Sequence, residues 1–329
     1  MDRRPLGETG LDIAPVVFGG NVLGWTVDRE TGFRLLSGFT DAGLNAIDTA
    51  DIYLGGVDGG RYGASETMIG EWLAEDQSRR DRIVLITKVG GTMGDEGRGL
   101  SPAWIEKEVD ASLTRLQTDR IDLYLSHFPD DSVPHEDTLG AYQRLIEKGK
   151  ITACGASNYS ADQLGDALAV SRQGGLPRYS VIQPEFNLIE RDALAGPMRD
   201  LVDREQIGVI TYFSLASGFL TGKYRSKDDL EGKSRAGFAG KYLDDPRAMR
   251  VLEALDDVAK STGAAHAEVA LAWVRQSPGV TAPIASATSE EQLKSLVRGA
   301  TLELSPQQMQ TLNEAGQEGQ GEAGSAAKP

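Results

Sequence analysis

Short apolar runs that stop on a polar side chain recur along this 329-residue chain, and each is followed by a stretch with helical spacing. This rhythm limits the fold more than any single motif does. The run in NAIDT stops on Asp48, IVLITK on Lys88, IDLYLSH on His127, and TACGASN on Ser157 and Asn158. Between Asp28 and Asp41, Phe33, Leu35, Leu36 and Phe39 fall at helical intervals, and SPAWIEKEVDASLTRLQ, EDTLGAYQRLIEKGK and MRDLVDREQ repeat the signal later. Strands alternating with helices predict a parallel sheet. Closed into a barrel, such a sheet aims the C-terminal end of every strand at one face, where the polar residues ending the runs would meet. The expected fold is a (β/α)8 TIM barrel with an N-terminal β-hairpin and long loops on the C-terminal face.

Residues 2–14 read as that hairpin, folded about the turn GETG and plugging the bottom of the barrel. PVVFGG is the first barrel strand, and Trp25 lies in the loop that follows it. Two segments are too long and glycine-rich for simple connections: residues 54–65 and 215–245. Ser65 is placed to cap one helix, and Ser101 with Pro102 to open another. Barrels of this kind exceed the usual domain length as one unit, so residues 1–315 are expected to form a single domain. The remainder, GQEGQGEAGSAAKP over 316–329, is poor in apolar residues and predicts a disordered tail.

Several function classes are excluded early. A formal charge of −15 does not build a surface for nucleic acid, which needs clustered Lys and Arg. A lone cysteine, Cys154, sits inside an apolar run and forms no internal disulfide. Neither a signal-length apolar segment at the start nor a membrane-spanning run occurs, so a cytoplasmic enzyme is expected, with no membrane partner. The three histidines show no ligand spacing, and no metal is expected. No GxGxxG follows the first strand, so a Rossmann site is not indicated.

The segments IDTADIY, ITKVG, LYLSHFPDD, GASN, IQPEFN and TYFSLASGFLTGKY, in that order, resemble the aldo-keto reductases over about two-thirds of the chain. The resemblance implies a catalytic set of Asp48, Tyr53, Lys88 and His127, with the tyrosine as proton donor. The chemistry of these residue types agrees. A phenol needs help to act as an acid near neutral pH. A neighbouring ammonium lowers the cost of the phenolate, a carboxylate keeps that ammonium charged, and an imidazole can donate to a carbonyl oxygen. No side chain can give a hydride, so a nicotinamide is required.

The resemblance further implies that Ser157, Asn158 and Gln183 hold the nicotinamide amide and that the Tyr212 ring stacks on it. Ser214, Leu215, Gly218, Leu220 and Lys223 would close over the pyrophosphate. Ser286, Thr288 and Gln292 stand where the family binds the far ribose, but Thr288 occupies a place at which many members carry an arginine or lysine for the 2'-phosphate of NADP. Leu296 likewise replaces a common asparagine. NADP(H) is the expected cofactor, with NAD(H) the alternative. A small-molecule carbonyl compound, whether aldehyde, ketone, sugar or quinone, would sit above Tyr53 and His127, walled by Trp25 and Phe128. Two other readings stand beside the reductase: a nicotinamide-binding regulatory subunit, as the potassium-channel β subunits of this family are, and a lyase or aldolase using Lys88 as a Schiff base. The sequence leaves the oligomeric state open.

Overall fold

The computed structural model describes residues 1–54, 60–232 and 236–317. The chain opens with a two-stranded antiparallel hairpin, β1 (Arg4–Pro5) and β2 (Asp12–Ile13), in which Arg4 faces Ile13. Gly7 turns the hairpin at φ +57°, and a Cβ there would collide with the Ser180 carbonyl and the Gly208 amide. Eight parallel strands follow: β3 (Val17–Gly19), β4 (Ala46–Asp48), β5 (Val84–Val89), β6 (Ile121–Ser126), β7 (Ile151–Ser157), β8 (Tyr179–Gln183), β9 (Gly208–Thr211) and β10 (Ala282–Ala285). They pair in sequence order, and β10 closes the ring by pairing with both β9 and β3. The (β/α)8 barrel expected from the alternation is therefore the fold.

The helices are α1 (Arg29–Asp41), α2 (Ala64–Glu75), α3 (Pro102–Leu116), α4 (His135–Glu147), α5 (Ala161–Gly174), α6 (Gly196–Glu205), α7 (Ala236–Ala239), α8 (Pro246–Thr262), α9 (His266–Gln276), α10 (Glu290–Thr301) and α11 (Pro306–Ala315). Their starts are written locally. Asp28 accepts from Thr31 N to cap α1, Ser101 accepts from Trp104 N to cap α3, and Ser160 with Gln163 forms a capping box on α5. The expected cap at Ser65 is not one. α2 begins behind Gly63, which takes φ +70°, and Ser65 is buried one residue inside the helix. Its hydroxyl instead donates to Gly20 O and accepts from Thr49 Oγ1, each at 2.8 Å, pinning α2 to the ends of β3 and β4.

Side chains along each strand alternate between two cores. One set packs outward against the helices, including Phe18, Ile47, Leu85 and Tyr124. The other fills the barrel: Val17, Ala46, Val84, Ile86, Leu123, Leu125, Val181, Ile210 and Ile284 all point inward, with Leu6 and Ile13 of the hairpin stopping the N-terminal end. Cys154 is buried in the outer core, and burial pushes its thiol up to about 12. The rhythm breaks after β9 as expected: residues 216–221 and 227–230 form short 3-10 turns, and α7 follows. The long segments 54–65 and 215–245 fall partly outside the described residues, as does the expected tail from residue 318 onward.

Candidate active site

The alternation that fills the barrel also builds its upper face. Two residues beyond an inward apolar position is again an inward position, so Ala46 leads to Asp48, Ile86 to Lys88 and Leu125 to His127. By the same count Val181 leads to Gln183, Ile210 to Tyr212 and Ile284 to Ser286. Val17 leads to Gly19, where a Cβ would meet Ser286 Oγ at 2.6 Å. The strand ends thus carry a polar layer directly above an apolar one.

Lys88 is the centre of that layer. Its side chain is 0% exposed, and its ammonium donates to Asp48 Oδ2 at 2.8 Å, Thr49 O at 2.7 Å and the Tyr53 hydroxyl at 2.9 Å. Three donors meet three acceptors, which is the full capacity of a charged lysine. The second oxygen of Asp48 accepts from Gln183 Nε2 at 2.9 Å. A buried charge persists only when paired and hydrogen-bonded, and both conditions hold here. Burial pulls the Lys88 ammonium down, but Asp48 and Tyr53 outweigh it and hold the lysine above its usual value.

For Tyr53 burial is the largest influence. Desolvation pushes the phenol up, Lys88 pulls it down and Asp48 pushes it up again, leaving it above its ordinary value. The tyrosine keeps its proton at neutral pH. Because its oxygen accepts from Lys88, that proton points elsewhere. Asp51, two residues earlier, is buried with both carboxyl oxygens lacking a hydrogen-bond partner. Burial first, then Glu66 and Glu108, raise it well above the carboxylate range, although the nearby Ile52 amide and then Arg115 oppose them. Glu66 and Glu108 themselves share Arg115, at 2.6 and 3.5 Å.

His127 is buried beside this group, its ring 6.1 Å from that of Tyr53 and edge-on to it. Burial, followed by Lys88, lowers it well below the usual histidine value, so the ring is neutral. Nδ1 is buried without a partner, leaving Nε2 as the nitrogen able to serve the cavity. Phe128 stacks on the imidazole at 4.6 Å between centroids and 8° between planes.

A cavity of about 910 Å³ opens over these residues and runs to the start of α10. Asp48, Tyr53, His127, Phe128, Ser157, Asn158, Gln183 and Tyr212 line one part of it. Ser214, Leu215, Gly218, Lys223, Ser286, Thr288 and Gln292 line the rest. Two residues singled out from sequence are placed otherwise: Leu220 is fully buried in the outer core, and Trp25 is half-buried outside the lining. A hydrogen-bonded chain crosses the floor. Tyr212 OH donates to Asn158 Oδ1 at 2.7 Å, Asn158 Nδ2 donates to His127 O at 2.9 Å and to Ser157 Oγ at 3.0 Å, and Ser157 Oγ donates to Gln183 O at 2.8 Å. Burial and Glu185 push the Tyr212 phenol up to about 12.

Residues 15–317 match the Aldo/keto reductase family. The chain belongs to that family. Among its relatives is the uncharacterized oxidoreductase YrpG of Bacillus subtilis (strain 168), 32% identical over 95% of each chain. The Escherichia coli (strain K12) L-glyceraldehyde 3-phosphate reductase is 29% identical over 91% of this chain and 87% of its own. A probable voltage-gated potassium channel subunit beta of Arabidopsis thaliana is 32% identical over 89% of each. Membership places the chain among the oxidoreductases.

The cavity of this aldo/keto reductase suits a dinucleotide in size and in fabric. Its middle is a turn in which Phe213, Ala216, Ser217 and Gly218 all take positive φ, a backbone form that makes concave anion sites. Lys223 Nζ would lie 3.3 Å from a Cβ at Gly218, so the glycine leaves room for the cation. Among the described residues no helix is long and apolar enough to cross a membrane, and no group of three or more His, Cys, Asp or Glu could hold a metal. Sequence reasoning missed several lining residues, among them Asn21, Phe213 and Ser295. Asn21 Oδ1 accepts from Ser286 Oγ at 2.7 Å. Phe213 was visible as the neighbour of Tyr212, but nothing in sequence marks the left-handed backbone that turns its ring outward.

Proposed function

We propose that this chain reduces an aldehyde or ketone to the alcohol, with hydride drawn from NADPH. The observation that carries the reading is the three-way contact of Lys88 with Asp48, Tyr53 and Thr49. A bound nicotinamide dinucleotide supplies the hydride. Ser157, Asn158 and Gln183 would hold its amide, the Tyr212 ring its face, and Lys223 with the turn at 214–218 its phosphates. The chain's own part is to bind a carbonyl oxygen between Tyr53 and His127 and to deliver a proton to it. Tyr53 gives up the proton that points away from Lys88, and the adjacent ammonium stabilises the phenolate left behind. Asp48 keeps that ammonium charged and in place, and the neutral His127 donates to the same oxygen from Nε2. Hydride reaches the carbon as the proton reaches the oxygen, so two electrons and two hydrogens are accounted for.

The family resemblance supports NADP(H), while Thr288 offers the 2'-phosphate only a hydroxyl and a backbone amide. A Schiff-base role for Lys88 is disfavoured by the same contacts, because an amine nucleophile needs a free lone pair. The lone buried thiol suits a reducing compartment, and the reading places the chain in the cytoplasm. Relatives named as potassium channel subunits support a second reading, a nicotinamide-binding regulatory barrel with little turnover. Tryptophan fluorescence titration with NADPH and NADH, followed by absorbance at 340 nm with a panel of small aldehydes, separates the two. Turnover that Tyr53→Phe abolishes supports the reductase, nucleotide binding without turnover supports the regulatory reading, and no nucleotide binding ends both.

A further inference from the structure

The Asp48 carboxylate is held from two sides, and its two holders come from distant parts of the barrel. Lys88, on the neighbouring strand β5, donates to Oδ2 at 2.8 Å. Gln183 donates from Nε2 to Oδ1 at 2.9 Å, and it lies on β8, which has three strands between it and β4 whichever way the ring is followed. This contact therefore spans the mouth of the barrel. Both partners are 2% exposed, and both line the cavity.

The amide is itself anchored. Ser157 pairs with Gln183 in the β7–β8 register, and its hydroxyl donates to Gln183 O at 2.8 Å. Ser157 Oγ in turn accepts from Asn158 Nδ2, which also donates to the carbonyl of His127. A network of neutral groups thus ties the backbone of His127 to the carboxylate behind Tyr53. Among the described residues nothing donates to Gln183 Oε1, so the side chain can hold Asp48 and still accept from a group in the cavity.

What the contact does follows from the surroundings of Asp48. Beneath it lie Ala46, Ile86 and the rest of the apolar layer, whose side chains offer no donor. With Lys88 alone, one carboxylate oxygen would be left buried without a partner, which costs more than a typical hydrogen bond gains. The terminal torsion of an aspartate is broad, so a carboxylate held at one oxygen turns easily. Gln183 stops that turn and takes up part of the negative charge that Asp48 directs at Tyr53. The titratable groups facing Tyr53 are Asp48 and Asp51 from its own strand and turn, Lys88 from β5, His127 from the end of β6 and Tyr212 from the end of β9. Burial raises the phenol, Lys88 lowers it, and Asp48 and Asp51 raise it again. Of these groups, Gln183 is hydrogen-bonded to Asp48 alone.

Resting on the reductase reading above, we propose that Gln183 is a positioning residue for the proton transfer: it acts through Asp48 and Lys88 to keep the Tyr53 hydroxyl ready to give up its proton, a duty separate from any hold on the nicotinamide amide. Gln183 itself neither gains nor loses a proton. The proton passes from the Tyr53 hydroxyl to the carbonyl oxygen, and Lys88 stabilises the phenolate left behind.

The first readout needs no turnover. The full chain is prepared with 3-fluorotyrosine, and the Tyr53 resonance in its fluorine NMR spectrum is the one absent from Tyr53→Phe. Its titration midpoint is compared in the parent and in Gln183→Met, which keeps the length of the side chain and removes the donor. The midpoint is expected to rise by about half a unit or more, with the other tyrosine resonances in place. Gln183→Asn, an amide one carbon too short for the span, is expected to show the same rise. In both variants kcat for a small aldehyde is expected to fall roughly tenfold, the scale of a hydrogen bond to a charged group, with KM for the aldehyde within about twofold. A Tyr53 midpoint unmoved in both variants overturns the proposal, and a loss of NADPH affinity alone would leave Gln183 only the cofactor hold. Variants in which the other tyrosine resonances move as well would show a contact that supports the fold at large, and this too overturns it. A raised midpoint in a chain that reduces no aldehyde upholds the positioning role and sinks the reductase, whereas aldehyde reduction with an unmoved midpoint does the reverse.

Discussion

Lys88 donates its ammonium to the hydroxyl oxygen of Tyr53 across 2.9 Å, so the lysine is committed to the tyrosine as an acceptor and the phenolic proton is free to go to a ligand. Removing either side of this contact has a different expected cost. Tyr53→Phe deletes the proton but keeps the ring and the Lys88–Asp48 pair, so kcat is expected to fall about 10²- to 10⁴-fold with little change in melting temperature. Lys88→Met strands Asp48 in the barrel, and breaking a buried pair costs about 3–5 kcal/mol. Parallel thermal melts and 340 nm assays distinguish the two, and a Lys88→Met protein as stable as the parent would contradict the structural role given to the pair.

The pH profile follows from the two directions of shift at the site. Tyr53 is held above its ordinary value, so its acid form, the one reduction needs, persists through neutrality and is lost only above the usual phenol range. His127 is held well below its ordinary value and adds no acid limb near pH 6.5. The initial rate of carbonyl reduction should therefore be flat from about pH 6 to 9. An acid limb centred near the usual histidine value would show that the ring charges in the folded state. The same shift affects stability: the neutral His127 ring favours the folded state above the unfolded histidine value, and that contribution is lost as pH falls below it.

Asp51 gives the opposite sign. Its folded carboxyl is raised well above the unfolded value, so ionisation of the unfolded chain opposes folding at neutral pH. Asp51→Asn removes that opposition and is expected to raise the melting temperature at pH 7 by a few degrees, on the order of 1 kcal/mol or more. The gain should vanish below about pH 4, where the unfolded aspartate is also protonated. Melts of both proteins at pH 7 and below pH 4 check the sign. A lower melting temperature for the asparagine variant at pH 7 would mean that Asp51 is ionised and satisfied in the fold.

On the proposed cofactor reading, the far end of the cavity carries the Thr288 hydroxyl where a cation would discriminate between nucleotides. Thr288 is partly buried, and its N–H and hydroxyl both donate to Gln292 Oε1, at 2.8 and 3.1 Å. Thr288→Arg should strengthen NADPH binding roughly tenfold while leaving NADH within about twofold, since charge-assisted contacts to phosphate are worth about twice a neutral one. Fluorescence titration reads both affinities. Equal gains for the two nucleotides would mean that the new charge meets the pyrophosphate instead.

The barrel was legible because the strand ends were. Asp48, Lys88, His127 and Ser157 each close an apolar run that is visible in the letters, whereas the alternation that turns them inward is not, because both faces of these strands are apolar. Tyr53 was legible only through resemblance, since it lies past the strand in a turn and no periodicity aims it. Ser65 misled because serine before an amphipathic run is the usual signature of a cap. Only the packing of β3 and β4 beneath α2 shows that its hydroxyl is consumed by Gly20 and Thr49. The positive φ of Phe213 was illegible for a related reason: it is set by what surrounds the carbonyl, which accepts from Asn187 Nδ2, 26 residues away in sequence.

Leu6 and Ile13 cork the barrel from below, beneath the apolar layer that supports Asp48 and Lys88. Packed side chains from the hairpin up to the polar layer leave the barrel no bore, so the face that carries the strand ends is the side from which Tyr53 is reached.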